Sequence, residues 1–282
     1  MKMVKKHLIM EKALELFAEQ GFEATSVQQI TERCGISKGA FYLSFKSKDE
    51  LIIAIIDQFM MQIIADIDYM VSNKEEEHLL YEFYYALYKS FHDRSDFAKV
   101  LMKEQSQTLN KELFFKMQYY DKLLENSILS MIDRLYGDRI KDFRYDLMYS
   151  IKGFMNSYSH LFVFYNIELD IALLAQSLAE KTNLLAHHTT VPFVSEEIHN
   201  MMQPITEEIS KEKLFAVLEQ KINEIEEPIE KESLTLLQQQ LDQPTFSPAI
   251  VKGLLENIRN HPDCKWVSFL LRRYFSNAGA AL

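Results

Sequence analysis

Residues 38–48 carry side chains that could bind the phosphates of a nucleic acid. Lys38, Tyr42 and Lys46 supply two positive charges and a phenolic hydroxyl within a short stretch. Contacts of this kind hold a protein in register on DNA without reading its sequence. Lys48 lies in the first turn of a further predicted helix, where the helix dipole disfavours a cation, so a phosphate partner would explain it.

Small and apolar residues lie between these cations and could face base edges. Gly39 has no side chain, which lets the backbone approach the bases closely. Ala40 and Leu43 could touch thymine methyl groups, and Ser44 could hydrogen-bond to a base or a phosphate. These residue types therefore fit the reading face of a short helix in a major groove.

Two helices are predicted to precede this face and to position it. Apolar residues at helical spacing predict a first helix over about residues 2–20, which Gly21 ends in a left-handed conformation. Thr25 is the predicted N-cap of the second helix, and Gln28 completes a capping-box pattern. Cys34 lies on the apolar face of that helix and is interpreted as a small core residue.

The third helix would carry the reading face. Gly35 supplies the turn before it, Ser37 supplies its N-cap, and Phe41 and Phe45 would anchor it in a core. A fourth helix is predicted over about residues 48–72 and would link this head to the rest of the chain. The alternative is a plain three-helix packing unit without DNA, but the order of turn, caps, aromatics and basic rim favours a helix-turn-helix.

This segment resembles the DNA-binding domain of the TetR family of bacterial regulators. The similarity rests on Thr25, on Ile30, on ALELFAEQGF at residues 13–22 and on GISKGAFYLSFKSKDEL at residues 35–51. The resemblance implies an all-helical homodimer whose two heads read the half-sites of a pseudo-palindrome. It also implies a larger helical domain that binds a small molecule.

The resemblance further implies roles for individual residues. Thr25 and Ser26 would offer the N-terminus of the second helix to phosphate, and Lys48 would clamp phosphate. Many members of the family have Tyr or Arg followed by His where this chain has Leu43 and Ser44, which weakens direct polar readout. The residues expected to face the operator are Lys38, Gly39, Ala40, Tyr42 and Ser44.

Aromatic and methionine residues are concentrated between residues 79 and 165. The two interpretations are ordinary core packing and a large, adaptable pocket for an apolar or amphipathic ligand. A buried tyrosine hydroxyl needs a partner, so the many tyrosines strengthen the pocket interpretation. The candidate ligand-binding residues are Phe83, Tyr88, Phe91, Phe115, Tyr119, Tyr120, Phe154, Met155 and Tyr158.

The charge of the chain is unevenly distributed. The net charge is −10, yet residues 1–48 hold eight Lys or Arg and five Glu, a balance of +3, so the remainder carries −13. Screening at physiological salt limits repulsion between an acidic body and DNA to about 8–10 Å. Only 7 Gly and 6 Pro occur among the 282 residues, which favours long helices and an all-α fold.

We predict three regions in the chain. They are a helix-turn-helix DNA-binding domain at residues 1–47, a helical ligand-binding and dimerisation domain at residues 48–190, and a C-terminal helical extension at residues 191–282. The last two helices of the extension have apolar faces that would pack either on the body or on the other subunit.

The expected function is that of a homodimeric repressor. A small apolar or amphipathic effector would release it from a double-stranded DNA operator. The alternative is a helical protein-interaction or dimerisation module without small-molecule control, in which the head only guides dimerisation. An enzyme acting on an apolar substrate in the body is a third possibility.

Signatures of other protein classes are missing from the sequence. It has no HExxH, CxxC or EF-hand spacing and no P-loop or GxGxxG, so we expect no metal, no cofactor and no enzymatic activity. No apolar run is long enough for a membrane span, and no apolar segment follows the N-terminal lysines. We therefore expect a cytoplasmic protein without a membrane partner.

Overall fold

The computed structural model describes residues 2–93, 100, 111–164, 169–202 and 210–277. Every regular element in this part of the chain is helical, which confirms the predicted all-α class. The chain divides into two compact units, residues 1–204 and residues 205–282.

The first unit begins with three helices that form the head and continues with longer helices that form the body. A 3-10 helix, Gly137–Phe143, connects two of the body helices. Within the described residues the α-helices of this unit are α1 (Lys2–Gln20), α2 (Val27–Cys34), α3 (Lys38–Tyr42), α4 (Lys48–Asn73), α5 (Glu76–Asp93), α6 (Lys111–Tyr136), α7 (Arg144–Phe164), α8 (Ile171–His188) and α9 (Glu196–Met201).

The core of the head is built from the apolar stripes that the sequence shows. Phe41 and Phe45 are fully buried, with ring centroids 6.0 Å apart, as predicted for anchors of the head core. The predicted third helix is too long, however, because α3 ends at Tyr42 and Phe45 lies beyond it. Ile30 of α2 is equally buried and belongs to the same core cluster. Cys34 is half-buried, and burial raises the pKa of its thiol, as expected for a core residue rather than a reactive one.

The predicted cap of α2 is wrong by one residue. Ser26, not Thr25, is the N-cap: its hydroxyl accepts from the Gln29 backbone N–H at 3.2 Å, and the Gln29 side chain accepts from the Ser26 N–H at 2.8 Å. Thr25 is instead buried, and its hydroxyl donates to the Gly21 carbonyl at 2.7 Å. Both residues fit a cap by type, and the tertiary loop decides which one faces inward.

The turns and the remaining caps agree with the sequence. Gly21 and Gly35 adopt φ values of 92° and 65°, the left-handed region in which glycine carries no steric penalty. The Ser37 hydroxyl accepts from the Ala40 N–H at 3.2 Å, and the Ser47 hydroxyl accepts from the Glu50 N–H at 3.0 Å. These contacts fix where α3 and α4 begin.

Helix α4 belongs to both the head and the body. Its first turns bury Leu51 and Ile56 in the core of the head, and its later turns pack against α5 and α6 of the body. Its 26 residues span about 39 Å at 1.5 Å per residue. One continuous helix therefore connects the two parts mechanically.

The second unit is a bundle of short helices. It contains α10 (Lys211–Glu224), α11 (Pro228–Asp242), α12 (Pro248–Arg259), a 3-10 helix (Pro262–Cys264) and α13 (Lys265–Asn277). Helix α12 packs on α11 and α13, and α13 also packs on α10. The apolar faces of α12 and α13 are therefore largely covered inside their own unit, an arrangement that the sequence analysis did not include.

Within the part of the chain that the structure describes, no helix combines the length and the apolar character that crossing a bilayer requires.

Candidate nucleic-acid interface

Helix α3 presents one face to the core and the opposite face outward. While Phe41 and Phe45 point inward, Tyr42 is 54% exposed and Leu43 is 79% exposed. Leu43 directly follows α3 and forms its C-cap. An apolar side chain this exposed contributes little to the fold, so the arrangement suits contact with an external surface.

Polar and small residues surround these two side chains. Lys38 and Gly39 are exposed at the start of α3, Ala40 and Ser44 are half-buried, and Lys46 is exposed just beyond the helix. Among the described residues, no carboxylate lies within ion-pair distance of the Lys38 or Lys46 ammonium groups. Their charges are thus available for phosphate.

Lys48 is held inside the protein more firmly than the sequence suggested. Its ammonium donates to the backbone carbonyls of Phe22 at 2.6 Å and Glu23 at 3.3 Å. It also lies 4.2 Å from the centroid of the Phe22 ring. These contacts explain a lysine at a helix N-terminus without any phosphate, because two carbonyl oxygens and an aromatic face compensate the unfavourable dipole.

The N-terminus of α2 lies beside the loop that Lys48 binds. Ser26 is exposed there, whereas both hydrogen-bonding groups of Thr25 are used within the loop: the hydroxyl on Gly21 and the N–H on the Phe22 carbonyl, the latter at 3.2 Å. Arg33 ties α2 to α1 through Glu19 at 3.3 Å. Thr25 is therefore buried and positions α2, whereas Arg33 is exposed and ties α2 to α1 at the surface.

Lys6 is a cation near this face that the sequence analysis did not single out. Its ammonium lies 5.3 Å from the centroid of the Phe45 ring, which places it beside the end of α3. The signal in the sequence is the cluster of N-terminal lysines at residues 2–6, which contributes to the +3 balance of the head but does not by itself place Lys6 beside α3.

The candidate ligand-binding residues of the body separate into two sites. Tyr88 of α5 stacks on Phe162 of α7 at 5.6 Å, and its hydroxyl donates to the Phe154 carbonyl at 2.9 Å. Phe83 and Tyr88 are fully buried, whereas Phe91, Phe154, Met155 and Tyr158 are half-buried. The fold itself thus satisfies the Tyr88 hydroxyl, and the candidates on α5 pack against those on α7.

The remaining candidates, Phe115, Tyr119 and Tyr120, lie on α6, which packs against α4. The Tyr120 hydroxyl donates to Asp57 of α4 at 2.9 Å, and the Lys116 ammonium forms an ion pair with the same carboxylate. Burial, followed by the Asp57 charge, raises the pKa of Tyr120, so its hydroxyl stays a donor. Phe115 is 64% exposed, and Tyr119 is half-buried.

No metal site is recognisable in the part of the chain that the structure describes. His187 and His188 are both exposed at the end of α8, and no group of three or more potential metal ligands occurs there.

The fold and the exposed face of α3 define the class of this protein: it is a helix-turn-helix DNA-binding protein. Its head matches the family described as bacterial regulatory proteins, tetR family, over residues 9–55. The HTH-type transcriptional regulator YerO of Bacillus subtilis (strain 168) is 31% identical over 276 residues, covering 92% of this chain and 91% of YerO. The chain belongs to the TetR family of transcriptional regulators, and it is not an enzyme.

Other relatives differ in how much of the chain they cover. YuxN, a second HTH-type regulator of the same organism, is 27% identical over 293 residues and covers 95% of this chain. The solved structure of FadR from Bacillus subtilis in complex with stearoyl-CoA is 21% identical, with a TM-score of 0.56, and covers 65% of this chain and 99% of FadR. A regulator from Aquifex aeolicus VF5 is 27% identical, with a TM-score of 0.51, and covers 64% of this chain and 99% of its own. The matches to YerO and YuxN must therefore extend well into the second unit.

Proposed function

We propose that this TetR-family regulator is a homodimeric repressor, located in the cytoplasm, that an apolar or amphipathic small molecule releases from a pseudo-palindromic operator. The observation that carries the proposal is the outward face of α3, where Tyr42 and Leu43 are exposed between Lys38 and Lys46. A major groove offers thymine methyls to Leu43 and phosphates to the lysines.

The proposed regions follow the same scheme. Residues 1–47 read DNA, residues 48–190 bind the effector and dimerise, and residues 191–282 form the extension. The proposed DNA contacts of the head are Ser26, Lys38, Gly39, Ala40, Tyr42, Leu43, Ser44, Lys46 and Lys48, with Thr25 holding the α1–α2 loop.

The structure supports α4 as the element that carries the signal. It is shared by the head and the body, and Asp57 on α4 is bound by Lys116 and Tyr120 of α6. An effector that moves α6 would move this carboxylate and so change the separation of the two α3 helices. Operator binding needs that separation to be about 34–36 Å, so a small change is enough to weaken it.

Dimerisation is proposed through α8. Leu173 and Leu184 on this helix are 62% and 52% exposed, and they lie three helical turns apart on one face. Two exposed leucines in line on a long helix suit a helix–helix contact with a second copy.

Selection of bound fragments from a random pool of duplex DNA tests the proposal. We expect an enriched site with two-fold symmetry and half-sites one helical turn apart. Stearoyl-CoA, the ligand in the FadR structure, is the first effector to add to the complex of the protein with its labelled operator. Palmitic acid, a simple carboxylate, and decane, a shorter uncharged chain, then test the effect of ligand charge and length. Recovery of no preferred duplex at low salt would contradict the proposal.

A helical interaction module without small-molecule control is the second candidate. The observation in its favour is the exposed apolar segment after α8, in which Val191 and Phe193 are each 80% exposed. Replacing Lys38 and Lys46 with Gln distinguishes the two proposed functions. In a repressor, the DNA affinity falls for all sequences and depends less steeply on salt concentration, whereas an interaction module has no DNA binding to lose.

A further inference from the structure

A cavity of about 320 Å³ lies between α1 and α4, at the junction of the head and the body. This volume is at the lower end of the range of about 300–1,000 Å³ for small-molecule sites. The cavity is an open pocket on the surface of the junction rather than an enclosed void, so a ligand could enter it from solvent.

Both helices line the cavity with the same spacing of residues. Helix α1 contributes residues 7, 10, 11 and 14, and α4 contributes residues 55, 58, 59 and 62, which is the i, i+3, i+4, i+7 stripe of one helix face. In each stripe two members are apolar and two are polar. The lining of the cavity is thus half apolar and half polar.

The apolar members form its floor. Met10, Ile55 and Phe59 are buried, and Leu14 is half-buried. Phe59 also contacts Phe91 of α5, with ring centroids 6.3 Å apart. The floor is therefore continuous with the aromatic packing of the body.

The polar members form its rim. Gln58 on α4 lies 3.5 Å from His7 on α1, so the rim already connects the two helices. Glu11 provides the lining's only carboxylate, and neither a lysine nor an arginine lines the cavity. The Lys12 ammonium binds Glu15 at 2.6 Å as well as Glu11 at 3.0 Å, so Glu11 can turn to another cation without leaving Lys12 unpaired.

We propose that this cavity, which we call the hinge cavity, binds a small amphipathic organic amine. An aromatic or aliphatic group would occupy the floor on Met10 and Phe59, where sulfur–aromatic and ring contacts are favourable. The ammonium would lie at the rim and donate to the Glu11 carboxylate, a charge-assisted hydrogen bond. Because the site joins α1 to α4, its occupant stabilises one orientation of the head; this regulatory consequence rests on the proposed function.

The test uses the full-length protein labelled with ¹³C at the methionine methyl groups, without DNA. Phenethylamine is titrated against two molecules of similar shape, phenethyl alcohol and phenylacetate. We expect a saturable shift of the Met10 methyl resonance with the amine, and at least about tenfold weaker binding of the acid, because the ammonium–carboxylate contact is lost. The resonance of Met131, fully buried in the body, should not respond.

Two variants and one control locate the binding. Glu11→Gln should bind the amine at least about fivefold more weakly and should bind amine and alcohol alike. Leu14→Phe should fill the cavity and abolish the Met10 shift, with folding checked by circular dichroism. Glu23→Gln, which neutralises an exposed carboxylate of the α1–α2 loop, should change nothing.

The proposal is overturned if Met10 shows no saturable response to the amine, or if the response survives Leu14→Phe. It is also overturned if the acid binds as well as the amine. Selection on random duplexes with the same sample tests the proposed function separately. If no duplex is enriched but the Met10 resonance still responds to the amine, the proposed repressor function is refuted and the proposed amine site is retained.

Discussion

At the scale of single residues, the head separates side chains that hold the fold from side chains that face outward. Phe41 and Phe45 are buried, and the adjacent Tyr42 and Leu43 are exposed. Lys48 belongs to both groups, because its ammonium binds the α1–α2 loop and also lies near the proposed DNA surface. Substitutions at these residues are therefore expected to differ in their effects on stability and on DNA affinity.

Leu43→Ala is expected to weaken operator binding about fivefold, on the order of 1 kcal/mol, because a thymine methyl would lose its apolar partner. The free energy of unfolding should change by no more than about 0.5 kcal/mol, since Leu43 is 79% exposed. Fluorescence anisotropy on the selected operator and urea unfolding measure the two quantities. Phe41→Ala is the control and should lower stability by about 3–5 kcal/mol. An unchanged operator affinity for Leu43→Ala would remove this residue from the interface.

Lys48→Met is expected to act on stability and on DNA binding together. Loss of its hydrogen bonds to two carbonyls should lower the free energy of unfolding by about 1 kcal/mol. Lys38→Met should leave stability unchanged and reduce the salt slope of DNA binding by about 1. Fluorescence anisotropy at several salt concentrations measures DNA binding of the two variants, and urea unfolding measures their stability. Equal stability of the two variants would show that the Lys48 hydrogen bonds do not stabilise the fold.

At the scale of elements, each helix of the head begins and ends where local chemistry dictates, and α4 is tied to the body by polar contacts. Gly35 closes α2 in the left-handed region, with its N–H donating to the Glu32 and Thr31 carbonyls. Along α4, Asp57 binds Lys116 and Tyr120, and further along Arg134 donates to the Val71 carbonyl. These contacts align α4 with α6.

Gly35→Ala is expected to lower the free energy of unfolding by about 1–3 kcal/mol, because a Cβ at φ 65° is strained even though no atom lies near it. The same substitution at Gly253, in the interior of α12, should raise stability by about 0.5–1 kcal/mol. Urea unfolding monitored by circular dichroism checks both signs. A neutral Gly35→Ala would mean that the turn relaxes to another conformation.

The Asp57–Lys116 pair is expected to be energetically coupled. Asp57→Asn and Lys116→Met should each destabilise the protein, and the double variant should lose less than the sum, by about 0.5–3 kcal/mol. Both side chains are partly exposed, so solvent screening keeps the value toward the lower end. Chemical unfolding of the four proteins completes the cycle, and strict additivity would contradict a coupled pair.

At the scale of the whole molecule, the proposed repressor works only as a dimer, because one head contacts only one half-site. The apolar residues exposed in line on α8, Leu173 and Leu184, are the proposed contact. The matches to YerO and YuxN show that the second unit is shared with other regulators, whereas the solved relatives cover about two thirds of the chain.

Leu184→Glu is expected to convert the protein to a monomer, since two carboxylates would face each other across the two-fold axis. Operator binding should then fall to the level of a single half-site. Sedimentation equilibrium and anisotropy on full and half operators measure this outcome. Lys38→Gln serves as the control that loses DNA affinity and remains dimeric. A dimeric Leu184→Glu would place the contact elsewhere.

Local signals in the sequence account for most of the helices of the head. Helical spacing and the Gly21 turn predicted α1 and α4 to within one residue, and Gly35 and Ser37 predicted where α3 begins, because these signals act between near neighbours in the chain. The end of α3 at Tyr42, before Phe45, was not predicted. The same locality explains the error at α2, where Thr25 and Ser26 are equally good caps by type.

The contacts between residues far apart in the chain are known only from the packed fold. In the fold, the Lys48 ammonium donates to two backbone carbonyls of the α1–α2 loop, and the Tyr88 hydroxyl donates to the Phe154 carbonyl. Helices α12 and α13 pack on helices of their own unit. The fold also creates the hinge cavity, whose walls are separated by more than forty residues of chain. Contacts of this kind depend on how helices pack, and the spacing of residues along one helix does not specify what lies opposite it.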